Sequence, residues 1–376
     1  MTNALQIFIQ QFINGVQTGS IYALIAIGYT MVYGVLKFIN FAHGDVYMVG
    51  AFVGFFAING MLAAFPHLSP LAQNINALIL CMLGCALLGA FIERLAYRPL
   101  RNALGEQDAW PWALFWALYV GLFVGPIVEQ HSPLNSVGAF LIVTVIAFAA
   151  LVPVLRIAFR AIGTRLKPSH SRLTALITAI GISLLLENQG QAVFGATPRQ
   201  YPDQNLKTFT FDLGKIELTV TSGRLIILVA AIILTLLLIY IVRYTRIGKA
   251  IRAVSYDPEA AALMGIPTDR IIALTFIIGS SLAGAAGFLN HNLGQLSFKA
   301  DVGIQLGLKA FVAAVLGGIG SIEGAVLGAM LMGLAESYVA GSALGSFKNA
   351  IAFVILIAVL LFRPSGLLGR NVTEKV

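Results

Sequence analysis

The chain has 376 residues, of which 58% are hydrophobic and only 11% charged, less than half the charge of an ordinary soluble domain. Its apolar residues come in runs of about 20, the length that crosses a hydrocarbon core as a helix, so a polytopic membrane protein is expected and a soluble enzyme is excluded. The net charge of +8 does not indicate a nucleic-acid partner, because the basic residues sit in short loops between apolar runs and form neither a face nor a tail.

Apolar runs predict spans at 8–34, 43–64, 71–92, 110–128, 137–159, 173–194, 224–242, 271–293, 305–318, 323–340 and 348–362. The N-terminal MTNALQ has no basic region ahead of an apolar core, unlike a cleaved signal peptide, so the first span is expected to be retained. That span carries Gln6, Gln10, Asn14, Thr18 and Tyr22 at four-residue intervals. Polar groups in hydrocarbon need partners or water, so this stripe points at a neighbouring helix or subunit, or at an aqueous path. Gly15 and Gly19 in the same span are spaced for close helix packing.

His43 and Asp45 open the second span, where a helix N-terminus favours a negative charge. Cys81 and Cys85 lie four apart in the third span with no His or acid nearby to complete a metal site, and read as small packing residues. The 195–223 stretch is polar, expected outside, and long enough for a short β-hairpin, and 243–270, the most charged part of the chain, is expected on the cytoplasmic side. Gly320, Gly324 and Gly328 repeat every four residues, which predicts one close-packing helix face. Glycines also interrupt the apolar pattern over 300–340, where a pair of re-entrant half-helices is an alternative to two spans. Four acids, Asp45, Glu187, Glu323 and Glu336, fall within or near spans. Proton relay is an alternative for Glu187 and Glu336, but no basic partner shares their span, and capping or interfacial solvation is the expected role of all four. Asp45 and Glu323 are both followed five residues later by Gly-Ala, a faint echo of an internal repeat.

Most of the 24 Lys and Arg residues lie in one alternate set of loops. The positive-inside rule therefore puts the N-terminus outside and the C-terminus in the cytoplasm, an orientation that eleven crossings satisfy. No Walker A loop is present: RIGKAI around Lys249 lacks the glycine spacing and the hydroxyl, and VLGGIGSIEG is no dinucleotide loop. By these motifs the chain is not expected to bind nucleotide.

Residues 255–267, SYDPEAAALMGIP, interrupt this apolar pattern. Asp257 before Pro258 is a helix start, with Glu259 in the first turn. Ala260, Ala261 and Ala262 give a slim surface, and Gly265 and Pro267 stop the helix after little more than two turns. So short a helix cannot bury much of itself, and it reads as an element that lies in a partner's groove. An interfacial lipid-binding helix would carry basic residues on its polar face, and this one has acids.

Glu259-Ala260-Ala261 followed three residues later by Gly265 resembles the EAA-x-x-x-G coupling loop of permease subunits of binding-protein-dependent ABC importers. GSIYALIAIGYTMVYGVLKFINFAHGDVYMVGAF (19–52), ERLAYRPLR (93–101), LTALITAIGISLLLEN (173–188), LKAFVAAVLGGIGSIEGAVLGAMLMG (308–333) and FRPSGLLG (362–369) are similar to the branched-chain amino acid permease family of H type. The resemblance implies an all-α, type II-importer-like permease of about nine core transmembrane helices in a bacterial inner membrane. It also implies a second homologous permease subunit, two cytoplasmic ATPase subunits that hold ATP and Mg, and a periplasmic solute-binding protein. This chain would bind no cofactor. Asp257, Glu259, Ala260, Ala261 and Gly265 would then couple to the ATPase. Gln10, Asn14, Thr18, Tyr22, His43 and Asp45 are candidates for the path or subunit interface.

One departure stands out: about 70 residues, 102–170, separate segments that are nearly adjacent in the family, and they read as an inserted two-helix hairpin within a single membrane domain 1–376. Leucine, isoleucine and valine are the solutes the resemblance favours, with urea or short amides as the alternative. An ion-coupled secondary transporter would show paired intramembrane ionisable groups. A membrane enzyme would need a clustered nucleophile and base.

Overall fold

A computed structural model describes residues 2–101, 112–114, 117, 136–162, 172–203, 206–212 and 217–369. Of the two spans expected in the 102–170 insertion, the first lies almost wholly outside the described residues. The second is the helix Ser136–Ile162.

The elements in chain order are α1 (Thr2–Leu36), α2 (His43–Ala64), α3 (Pro70–Ile92), α4 (Ser136–Ile162), α5 (Arg172–Phe194), β1 (Thr208–Asp212), β2 (Glu217–Thr221), α6 (Ser222–Tyr244), α7 (Arg246–Tyr256), α8 (Pro258–Leu263), α9 (Thr268–Asn292), α10 (Val302–Gly317), α11 (Ile322–Ala340) and α12 (Ala350–Phe362). A π-turn at Glu93–Tyr97 and a last turn at Arg98–Arg101 continue α3. Among the described residues, seven helices are long and apolar enough to cross a membrane, and α10, α12 and the apolar part of α4 are shorter. At about 1.5 Å per residue, the 16-residue α10 reaches about 24 Å, short of a hydrocarbon core about 30 Å thick.

The chain divides into two compact units, one of Met1–Ala90 with Ala179–Val376 and the other of Phe91–Thr178. In the second, buried Glu93 pairs with Arg101, two turns further along the same helical segment. The first unit holds the core, formed by α1, α2, α9, α10 and α11. The apolar window of α1 is 89% buried and that of α9 is 72% buried, whereas α6 turns Ile233 and Leu236 outward. An outward apolar face of this kind suits hydrocarbon or a neighbouring subunit, not water.

Close backbone approach builds the core. A Cβ on Gly19 would lie 2.9 Å from Met330 Cα, and one on Gly15 would lie 2.8 Å from Leu334 Cα, so α1 and α11 touch backbone to backbone. Gly50 of α2 meets Gly284 of α9 in the same way, its Cβ position 2.5 Å from Gly284 Cα.

At the N-terminal end of α1, β1 and β2 form an antiparallel hairpin, Thr208 opposite Thr221 through Asp212 opposite Glu217. The Gln10 amide donates to Thr219 O at 3.0 Å and accepts from Thr219 N at 3.1 Å, while Gln6 donates to Glu217 O. These side chains occupy the β2 edge much as a third strand would, which blunts an edge that could pair with another chain.

At the other end, the C-terminal FRPSGLLG segment finishes α10. Leu367 N and Leu368 N donate to Leu316 O and Gly317 O, carbonyls that no residue within the helix can satisfy. Gly318 (φ 105°) and Gly366 (φ 74°) meet there, both in the left-handed region that glycine adopts without strain.

Candidate functional site

The polar stripe of α1 diverges along its length. Gln6 and Gln10 are spent on β2, whereas Asn14, Thr18 and Tyr22 line a cavity of about 740 Å³. Its other walls come from the start of α6 (Arg224), the end of α9 (Asn290 and His291), α10 (Gln305 and Lys309), α11 (Glu336) and the residues just before α12 (Lys348 and Asn349).

Two of the charged groups in this cavity, Lys309 and Glu336, hold one another in place. Lys309 Nζ donates to Glu336 Oε1 at 2.5 Å and to Asn349 Oδ1 at 2.9 Å. Tyr22 OH donates to Glu336 Oε2 at 2.6 Å. Arg224 donates to Asn14 Oδ1 at 2.5 Å. The Lys309 and Glu336 side chains are each only 12% exposed, so the ion pair lies inside the bundle. This corrects the expectation that Glu336 caps a helix or is solvated at the interface: its partner comes from α10 across the turn at Gly318 and Gly320. Behind the wall, His291 Nε2 and Tyr47 OH lie 2.9 Å apart, and Asn290 donates to the same hydroxyl.

His43 and Asp45 lie elsewhere. Both are 1% exposed and neither lines the cavity. His43 packs edge-on against Tyr29 and beneath Gly28. Asp45 Oδ2 accepts from Ser183 at 2.5 Å. They are core groups of α2, because α5, α9 and α10 close over the start of that helix. Glu323, the echo of Asp45 in the sequence, is exposed and paired with Arg243.

Of the three candidate packing glycines, Gly324 and Gly328 lie in α11 against Gly317 and Ala313 of α10. Gly320 does not: it precedes the helix at φ 101° with nothing within 4 Å of a Cβ. Ser321 caps α11 by accepting from Gly324 N, so the four-residue spacing runs across a turn and Gly320 is a conformational glycine.

The opposite end of the bundle carries the short helix α8. The ends of α1, α6 and α7 meet there around a second cavity of about 490 Å³ that includes Lys37, Arg252 and Tyr256. Asp257 caps α8, its Oδ1 accepting from both Glu259 N and Ala260 N at 2.9 Å, with Pro258 at the first helical position. Gly265 (φ 82°) ends it in a Schellman turn: Ile266 N donates to Ala261 O and Gly265 N to Ala262 O, each at 3.0 Å. Both ends of a six-residue helix are thus locked.

Asp257, Glu259, Ala260 and Gly265 are exposed, together with Tyr256 (92%), Leu263 (89%) and Met264 (83%). Ala261 is 5% exposed and turned inward, which removes it from any surface a partner could touch. Leu263 and Met264 were not among the candidates. The apolar spacing does not single them out, because an exposed and a buried apolar residue read alike in sequence.

An apolar helix bundle with an ion-paired cavity at one end and a locked, bare helix at the other is the architecture of a multi-pass membrane protein. The chain belongs to the family described as branched-chain amino acid transport system / permease component, whose family model matches residues 11–360. It is 35% identical over 382 residues to the high-affinity branched-chain amino acid transport system permease protein LivH of Salmonella typhimurium, and 35% identical over 384 residues to that of Escherichia coli K12, covering all of both chains in each case. It is 36% identical over 372 residues to the corresponding BraD protein of Pseudomonas aeruginosa, covering 98% of both. No solved structure shows a significant match to the chain.

Proposed function

We propose that this chain is the membrane-spanning permease of an ATP-driven importer that carries leucine, isoleucine and valine across a bacterial inner membrane, and that α8 is the helix through which ATP hydrolysis acts on it. The observation that carries the reading is the Asp257–Gly265 element: capped at both ends, exposed, and edged by the bare apolar side chains of Tyr256, Leu263 and Met264. Such a surface suits a groove on a soluble partner. ATP and Mg would sit on two ATPase subunits. A second homologous permease and a periplasmic binding protein complete the assembly, and this chain binds no cofactor of its own.

Closure of the ATPase pair would push α8, and the shift would convert the bundle between inward-open and outward-open states, a two-state element biased from a distant site. The basic-loop asymmetry supports an N-terminus outside and a C-terminus inside, with the 740 Å³ cavity on the outer side and α8 in the cytoplasm. Residues 102–170 are an inserted helical hairpin on this reading, which the separate compact unit at Phe91–Thr178 favours.

Branched-chain solutes are proposed because the full-length relatives are branched-chain amino acid transport permeases. The test is uptake of labelled leucine and labelled urea by cells lacking this permease, with and without the gene restored and the partner subunits intact. Restored leucine uptake is the expected result. Restoration of urea uptake alone would overturn the solute, and restoration of neither would overturn the assignment.

A further inference from the structure

The large cavity holds more charge than a passive conduit needs. Arg224, Lys309 and Lys348 face a single carboxylate, Glu336. A buried ion pair returns less than its desolvation costs unless the geometry is excellent, so packing alone gives little reason for Lys309 and Glu336 to stay inside the bundle. Intramembrane ionisable groups mark solute pathways far more often than they mark stability.

The pair also has unused capacity. Lys309 has three donors and gives one to Glu336 and one to Asn349. Glu336 accepts one hydrogen bond on each oxygen, half of what a carboxylate can take. Arg224 gives one of its five donors to Asn14. Next to these groups the cavity is walled by Ile21, Leu293 and Leu306. Its volume falls in the range of small-molecule sites, about 300–1,000 Å³.

We propose that this cavity is a binding site of the permease itself for an α-amino acid: Lys309 and Arg224 take the carboxylate, Glu336 takes the ammonium, and Ile21, Leu293 and Leu306 receive a branched aliphatic side chain. The inference rests on the reading that the solute is an amino acid. It adds that the permease recognises both charges of the head group after the binding protein has let go. Tyr22 and Asn349 are positioning residues, which hold Glu336 and Lys309 in place.

The experiment uses the intact permease–ATPase complex in lipid nanodiscs without the binding protein, and measures binding of labelled leucine. Saturable binding is expected. Unlabelled leucine should displace the label, whereas isocaproate, which lacks the ammonium, and isopentylamine, which lacks the carboxylate, should fail to do so. Lys309→Met and Glu336→Gln should each weaken binding by about tenfold or more, as loss of a charged hydrogen-bond partner implies. The competition pattern needs no variant, so it stands even if a variant fails to assemble. Absence of saturable binding to a complex that still imports leucine with its binding protein would overturn the site and leave the proposed function standing. Equal displacement by either analogue would overturn it too. A complex that imports urea and not leucine would defeat the proposed function first.

Discussion

Replacing Asp257 with alanine removes the acceptor that holds Glu259 N and Ala260 N at 2.9 Å. Loss of an N-cap of this kind costs about 1 kcal/mol, which lowers the ratio of helical to frayed α8 by about fivefold. The effect should not be all-or-none, because Pro258 still presets the first turn and the Schellman turn at Gly265 still closes the last. Asparagine caps as well as aspartate, so Asp257→Asn keeps the helix and loses only the charge. The assay is the initial rate of labelled leucine uptake into proteoliposomes that hold the full transporter, with binding protein and ATP supplied, alongside ATP hydrolysis. The alanine variant should lose uptake measurably, by at most about fivefold, the limit reached where the frayed form predominates, and the asparagine variant should stay within about twofold of the unmodified protein. Unchanged uptake in Asp257→Ala would refute the idea that a preformed α8 transmits force. Equal loss in both variants would show that the charge matters and the cap does not.

Gly333→Ala places a Cβ 2.5 Å from Gly19 Cα, against backbone that cannot yield. It should destabilise the complex by about 1–3 kcal/mol, read as a lower unfolding temperature. Gly60→Ala, with nothing within 4 Å, should be neutral or stabilising by up to about 1 kcal/mol; a similar loss in both would remove the packing argument. Substituting a short linker for residues 102–170 should leave a chain that still inserts in the membrane, measured by membrane fractionation, and failure to insert would make the segment integral to the fold.

Local features were legible because they are written in neighbouring residues. Asp257-Pro258 and Gly265-Ile266-Pro267 mark both ends of α8, and the apolar runs predict both ends of α2 and the start of α3, whose helix continues beyond the apolar run to Arg101. Long-range pairing was not legible in the same way. Lys309 and Glu336 lie on different helices, and only the turn at Gly318 and Gly320 folds one onto the other. Gly320 was misassigned because a four-residue period looks the same whether or not the chain is helical throughout. The polarity of Asp45 and His43 points toward the path, whereas the structure buries both in the core, Asp45 bonded to Ser183 and His43 edge-on to Tyr29. For Ala261 the motif identified the helix, and only packing decides which of its faces a partner can meet.

The C-terminal cap on α10 has a consequence for biogenesis. The carbonyls of Leu316 and Gly317 wait for amides that lie about fifty residues later in the chain. While α11 and α12 are being made and inserted, the end of α10 must be satisfied by water or by a chaperoning surface. It is finished only when the Ser-Gly-Leu-Leu segment emerges and folds back. A chain truncated after α12 would hold all its apolar helices with this end still unsealed, so completion of the bundle waits for its tail.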